Sequence, residues 1–197
     1  MFNKNQVVAV VMGGPSAERE VSLNTGAAIA NALREYGYAN VVEIDLDPRN
    51  FGKQLAESKA EVVFNAVHGL YGEDGRLQTL LEIREMPYTG SGMIASVSCM
   101  DKVITKRMLR DAGISTPACL IINKKESGIK EKIMQRFSLP VVIKPASQGS
   151  SIGVEIVKEE NQLDEALANA FKYSRDILVE EFIGGKELTV SMMQKDG

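Results

Sequence analysis

The segment Val7–Met12, VVAVVM, is an unbroken apolar run closed by Gly13-Gly14-Pro15. Such a run marks a strand buried on both faces of a parallel sheet, because a strand with one wet face alternates apolar and polar residues. Ser16 followed by Ala17-Glu18-Arg19-Glu20 then opens a helix. Ser16 is the expected N-cap, and Glu18 and Glu20 suit the positive end of the helix dipole. Ile29, Ala32, Leu33 and Tyr36 recur at helical spacing up to Gly37, the expected stop. Val41–Leu46 reads as a second strand, Gly52–Ser58 as a helix and Glu61–Val67 as a third strand. Strand–helix–strand–helix–strand requires parallel strands joined by crossovers, hence an α/β sheet covered by helices.

Composition limits the function. A chain of 197 residues with 44% hydrophobic and 25% charged residues has the make-up of a soluble globular protein with a real core. Its net charge of -3 gives no global attraction to nucleic acid or anionic membrane, so any phosphate site must be local. Cys99 and Cys119 stand in no metal-binding spacing, which points to a reducing compartment and away from a thiolate cluster. The amino-terminal apolar run is too short to span a bilayer, and no signal peptide is read there. The expectation is a cytoplasmic protein with neither nucleic-acid nor membrane partners.

The first turn invites a dinucleotide reading, with Asp45 as the ribose acid. Its pattern is GGPSAE, however, not GxGxxG, and Pro15 sits where backbone should approach a pyrophosphate. The turn still lies at a strand's carboxyl end, where α/β folds bind ligands. Glu18 is there either to meet a ligand ammonium or as a surface carboxylate. His68, the only histidine, follows the third strand in a glycine-rich loop ending in Glu73 and Asp74. It is either a positioned ligand contact or a hydrogen-bonded structural side chain. The turn-rich Pro87–Gly92 marks a boundary. Beyond it Met100–Ala112 reads as a basic helix carrying Lys102, Lys106, Arg107 and Arg110, most of them on a solvated face. Ala118–Asn123 is an expected strand, Ile129–Phe137 and Asn161–Tyr173 helices, Ile177–Ile183 a strand, and Leu188–Met193 the start of another.

Val141–Val157, VVIKPASQGSSIGVEIV, joins two apolar runs through Lys144 and a small-residue loop, Ala146–Gly153. Small residues let backbone N–H groups converge on an anion beside the lysine charge, so the loop is a phosphate cradle or else a plain hairpin turn. It is not a Walker A motif, because Lys144 precedes the loop and a strand follows it. No HRD or DFG element accompanies it, so it is not a kinase glycine loop. Glu180 and Glu181 inside an apolar strand need partners to offset their burial.

Six segments then fall in one family's order: GGPSAEREVSL (Gly13–Leu23), HGLYGEDGRLQ (His68–Gln78), YTGSG (Tyr88–Gly92), MDK (Met100–Lys102), VVIKPASQGSSIGV (Val141–Val154) and VEEFIGGKELTV (Val179–Val190). With them the chain resembles the D-alanine–D-alanine ligases of the ATP-grasp superfamily over essentially its whole length. The resemblance implies that ATP phosphorylates one D-alanine and that a second attacks the acyl phosphate, giving a dipeptide for peptidoglycan. It implies that Lys102 and Lys144 meet the ATP phosphates and that Gln148, Gly149, Ser150, Ser151, Ile152 and Gly153 cover them. It implies that Glu180, Glu181 and Ile183 border adenine and that Glu187 holds the ribose. Glu18 would bind the first D-alanine's ammonium, Ser150 would hydrogen-bond to Glu18, and His68 would lie near the same substrate. Mg²⁺ (or Mn²⁺) and a homodimer through the amino-terminal domain are implied likewise. Ligases making D-alanyl-D-lactate or D-alanyl-D-serine, other ATP-grasp carboxylate–amine ligases and a non-catalytic nucleotide-binding fragment remain alternatives.

The expected architecture is α/β: a Rossmann-like parallel-sheet domain over residues 1–98, a small α+β ATP-grasp subdomain over 99–183, and the start of a truncated third domain over 184–197. The family's metal ligands are expected beyond Gly197, so the chain is expected to be inactive alone.

Overall fold

The computed structural model describes residues 3–192. β1 (Val7–Met12), β2 (Asn40–Asp45) and β3 (Val62–Asn65) form a parallel sheet in the order β2-β1-β3. The central β1 explains its own sequence. Val10 and Met12 pack with Ala30 of α1 (Arg19–Glu35) on one face. Ala9 and Val11 pack on the other with Phe51 and Leu55 of α2 (Phe51–Ser58) and Leu77 and Leu81 of α3 (Arg76–Glu82). With both faces dry, the run has no position for a polar residue. Beside β3, the Val63 N–H donates to the Pro87 carbonyl at 2.8 Å and the Thr89 N–H to the Val63 carbonyl at 3.1 Å, so the strand edge is occupied.

Two helices lead to the second sheet, α4 (Met93–Met100) and α5 (Lys102–Asp111), meeting at Asp101. That sheet contains β4 (Cys119–Asn123), β5 (Val141–Pro145), β6 (Glu155–Val157) and β7 (Asp176–Glu181) in the order β4-β7-β5-β6, every pair antiparallel. α6 (Ile129–Arg136) and α7 (Leu163–Tyr173) cover one face. There Ile122, Val141, Ile143, Val157, Ile177 and Val179 pack on Ile133, Leu163, Ala166 and Ala170. The register puts Cys119, Ile121, Val142, Lys144, Ile156, Leu178 and Glu180 on the opposite face. The site forms on that face.

The structure corrects several sequence expectations. Ser16 does not cap α1: its hydroxyl accepts the Glu18 N–H at 3.1 Å and donates to the His68 carbonyl at 2.8 Å, and the helix starts only at Arg19. The helix read over Met100–Ala112 is the shorter α5, preceded by an unanticipated α4. The strand read over Ile177–Ile183 ends at Glu181. Leu188–Met192, expected to begin a strand, is irregular, and Met193 lies outside the described residues.

Candidate active site

The first half of the site is built at the carboxyl ends of β1 and β3. Gly13 takes φ +74°, and a Cβ there would stand 2.2 Å from Asp45 Oδ1. The gap is kept for an ion pair. Arg19 donates from its two terminal nitrogens to Asp45 at 2.8 and 2.6 Å, fixing the first turn of α1. Asp45 is thereby committed to Arg19, whose donated hydrogen bonds hold its carboxyl below the ordinary value. Ser22, fully buried, accepts the Gly13 N–H at 2.8 Å and donates to the Ala66 carbonyl at 2.7 Å. These bonds lock the Glu18 turn to the His68 loop.

Glu18 consequently faces that loop. Gly69 takes φ +66°, and a Cβ on it would meet Glu18 Oε2 at 2.6 Å, so glycine is required on both counts. Glu73 accepts the Gly69 N–H at 3.0 Å, and its other oxygen lies 3.6 Å from His68 Nδ1. His68 Nε2 is 3.2 Å from Thr25 Oγ1. Two carboxylates and an imidazole therefore share one end of the parallel sheet, an arrangement suited to an ammonium.

The second half lies on the open face of the antiparallel sheet. Asp101 ends α4 and caps α5, its carboxylate accepting the N–H groups of Val103 at 2.8 Å and Ile104 at 3.1 Å. The capped turn places Lys102, whose N–H donates to the Ala146 carbonyl at 2.9 Å and whose ammonium donates to the Gln148 carbonyl. One turn on, Lys106 points the same way. Glu180, on β7, is buried at 4% exposure. It takes Lys106 Nζ on Oε1 at 2.7 Å and Lys144 Nζ on Oε2 at 2.5 Å. Three lysines against one buried carboxylate leave surplus positive charge. Burial, and then the Lys144 charge, push the Lys102 pKa down, while Asp101 and Glu180 pull it back up.

The loop closes the two halves. Ser150 and Ser151 take φ +49° and +61°, and turns run from Ile152 N–H to the Gly149 carbonyl and from Val154 N–H to the Ser151 carbonyl. A Cβ on Gly149 would be 3.8 Å from Glu73 Oε2 and 3.9 Å from Glu18 Oε2, so the loop reaches the carboxylates through Gly149. Ser150 is exposed, and no hydrogen bond joins it to Glu18 among the described residues. Between the halves lies a cleft of about 360 Å³ lined by Glu73, Cys99, Met100, Lys102, Gln148 and Gly149.

Glu18, His68, Lys102, Lys144, Gln148, Gly149 and Glu180 are thus parts of one assembly. Ser150–Gly153 continue the same loop, whereas Glu181, Ile183 and Glu187 stand apart. The Glu181 carboxylate accepts the Ala118 N–H at 2.7 Å, and its own N–H donates to the Ala118 carbonyl. Ile183 and Glu187 are exposed in the irregular segment after β7. Sequence reasoning missed Lys106 and Glu73 as members. The spacing of Lys106, four residues after Lys102 on one helix, was the available signal.

A parallel α/β unit followed by an antiparallel sheet, with lysines beneath a small-residue loop, defines a protein of the ATP-grasp class. Two family models match, "D-ala D-ala ligase N-terminus" over residues 45–91 and "D-ala D-ala ligase C-terminus" over residues 108–197. The chain belongs to the D-alanine–D-alanine ligase family. It is 47% identical over 193 residues to the D-alanine–D-alanine ligase of Moorella thermoacetica, covering 94% of this chain and 61% of the relative. It is 45% identical over 190 residues to that of Carboxydothermus hydrogenoformans, covering 94% and 60%. The crystal structure of the Bacillus anthracis D-alanine–D-alanine ligase superposes with a TM-score of 0.79 at 35% identity, over 91% of this chain and 58% of that one. The structure of that enzyme complexed with ATP gives 0.77 at 33% identity, over 91% and 60%. The chain therefore spans about 60% of the length of the curated relatives it matches.

Proposed function

We propose that this chain supplies the amino-terminal and central parts of an ATP-dependent ligase that joins two D-alanines for peptidoglycan synthesis in the cytoplasm. The observation that carries the reading is the meeting of cations and carboxylates across the loop: Lys102 and Lys144 on one side, Glu18 and Glu73 on the other. The lysines offset the charge of a transferring phosphoryl group, which is most of what a protein contributes to such a step. Glu18 anchors the first D-alanine's ammonium with His68 beside it, so the substrate carboxylate is held towards the lysines. Holding carboxylate, γ-phosphate and the second amine in line removes an entropic barrier of about 7–11 kcal/mol.

Val142 and Ile156 support a place for the base. They share the open face with Lys144 and Glu180, and Ile156 is 49% exposed, giving an apolar shelf beside the phosphate cations. In this reading Gln148–Gly153 covers the phosphates, Ser150 comes to Glu18 only when the loop closes, Glu181 and Ile183 border adenine, and Glu187 holds the ribose. Mg²⁺ fits the same reading as an ion carried on the nucleotide phosphates. The domains divide at residues 1–98, 99–183 and 184–197, with pairing of two copies through the first.

Two measurements test the proposal. Calorimetric titration of this chain with ATP should show saturable binding that Lys144→Met weakens at least tenfold, on the scale of charge-assisted phosphate contacts. The same residues carried in a chain of the relatives' full length should release ADP from ATP with D-alanine and not with L-alanine. Absence of binding at millimolar ATP, or release indifferent to the alanine enantiomer, would overturn it.

A further inference from the structure

The proposed function uses Lys102 and Lys144 but leaves Lys106 unexplained, although it is more deeply placed than Lys144. Its side chain is only 14% exposed, against 23% for that of Lys144. Besides Glu180, its ammonium reaches the Pro117 carbonyl at 2.8 Å. Lys106 is therefore held from two directions, by β7 and by the segment entering β4. The Glu180 carboxylate is divided between its two lysines, one oxygen to each. Register fixes the rest: Glu180 stands directly across from Val142, two residues before Lys144 on the same face of β5.

We infer that Lys106 is a positioning residue for the nucleotide site, acting through Glu180 on Lys144. The inference rests on the ATP reading above and deepens it. A lone carboxylate facing a single flexible lysine leaves both free to rotate. A carboxylate pinned on its far oxygen by a lysine that is itself bound to backbone has one orientation, and it presents the near oxygen to Lys144. The Lys144 ammonium is then set near the carboxyl end of β5, under the loop, before any phosphate arrives. Preorganisation of this kind raises affinity by removing ordering costs that binding must otherwise meet. Lys106 also carries the positive charge that lets Glu180 hold Lys144 without neutralising the cluster.

Position and charge separate in a mutant set. Lys106→Met removes both, Lys106→Arg keeps a cation on Glu180, and the double variant Lys106→Met with Glu180→Gln restores the wild-type charge balance without the anchor. Titration with ATP, and with inorganic tripolyphosphate as the base-free probe, should show about tenfold weaker binding for Lys106→Met, within the coupling range of contacting residues. Lys106→Arg should remain close to wild type. The double variant should stay weak while regaining the melting temperature lost by Lys106→Met, because its buried carboxylate is no longer half-paired. Recovery of affinity in the double variant would make the effect one of charge and overturn positioning, as would unchanged affinity in Lys106→Met. A readout without nucleotide accompanies these. Acylation of Lys144 by acetic anhydride, followed by mass spectrometry across a pH series so that rates are compared per neutral amine, should be severalfold faster in Lys106→Met and unchanged in Lys106→Arg. If the wild-type chain binds neither probe, the ATP reading fails, and equal acylation rates would overturn the role of Lys106 separately.

Discussion

Gly72 stands so close to the backbone of Val67 that a Cβ on it would lie 1.9 Å from the Val67 carbonyl oxygen. The Gly72 carbonyl also accepts Asn65 Nδ2 at 2.8 Å and the buried Gln78 Nε2 at 2.7 Å. Gly72→Ala must therefore move the loop between His68 and Glu73, and we expect a loss of about 2–4 kcal/mol, measured by urea denaturation. A change below a few tenths would contradict the packing account. Lys102 makes a different prediction at the same scale. Its pKa lies below the ordinary 10.5 in the free chain because burial, and then Lys144, penalise its charge. A bound polyphosphate favours that charge and raises the pKa, so binding takes up a proton as pH approaches the free value. Affinity for ATP should fall as pH rises through that value, which lies below 10.5. Titrations between about pH 7 and about pH 10 should show this alkaline limb in the wild type and not in Lys102→Met. Its persistence in the variant would assign it to another group.

Elements carried by strong periodicity or by hard stops were legible, and those depending on a distant partner were not. β1 was readable because burial on both faces leaves no room for a polar residue, and the Gly37 stop because φ +88° there favours glycine. The first turn of α1 was misread because the hydroxyl of Ser16 is drawn to the His68 carbonyl, 52 residues away. α4 was missed because MIASVSCM shows no clear stripe and its N-cap, Gly92, makes no side-chain bond. Glu18, Lys102 and Lys144 could be singled out from motif resemblance, whereas the pairing of Glu180 with Lys106 needs strand register, which sequence does not display. The α4–α5 junction has its own test. Asp101→Ala should lower stability by about 1 kcal/mol, the usual worth of an N-cap, while Asp101→Asn should keep most of it. Because the cap sets the turn bearing Lys102, ATP affinity should drop with Asp101→Ala beyond any effect of Asp101→Asn. Thermal melts and titrations on the two variants decide this, and equal affinities would unlink the cap from the site.

At the scale of the molecule, the two sheets have separate apolar cores, one around Val11, Phe51 and Leu81 and the other around Ile143, Ile177 and Leu163. They meet where the loop after β5 reaches across, Gly149 coming near Glu18 and Glu73. Separate cores favour sub-global opening over one all-or-none transition. A nucleotide on the open face of the second sheet should therefore stabilise that sheet first. At about 100 times its Kd the ligand adds about 2.7 kcal/mol to whatever unit binds it. Hydrogen exchange followed by mass spectrometry should show slower exchange in β5, β7 and α5 on adding ATP, with little change in β1 and α1. If Glu18 holds the substrate ammonium as proposed, D-alanine added afterwards should extend the slowing to the His68–Glu73 loop, against which Gly149 already stands. Equal slowing of both sheets by ATP alone would mean that the junction transmits the full binding energy and that the molecule opens as one unit.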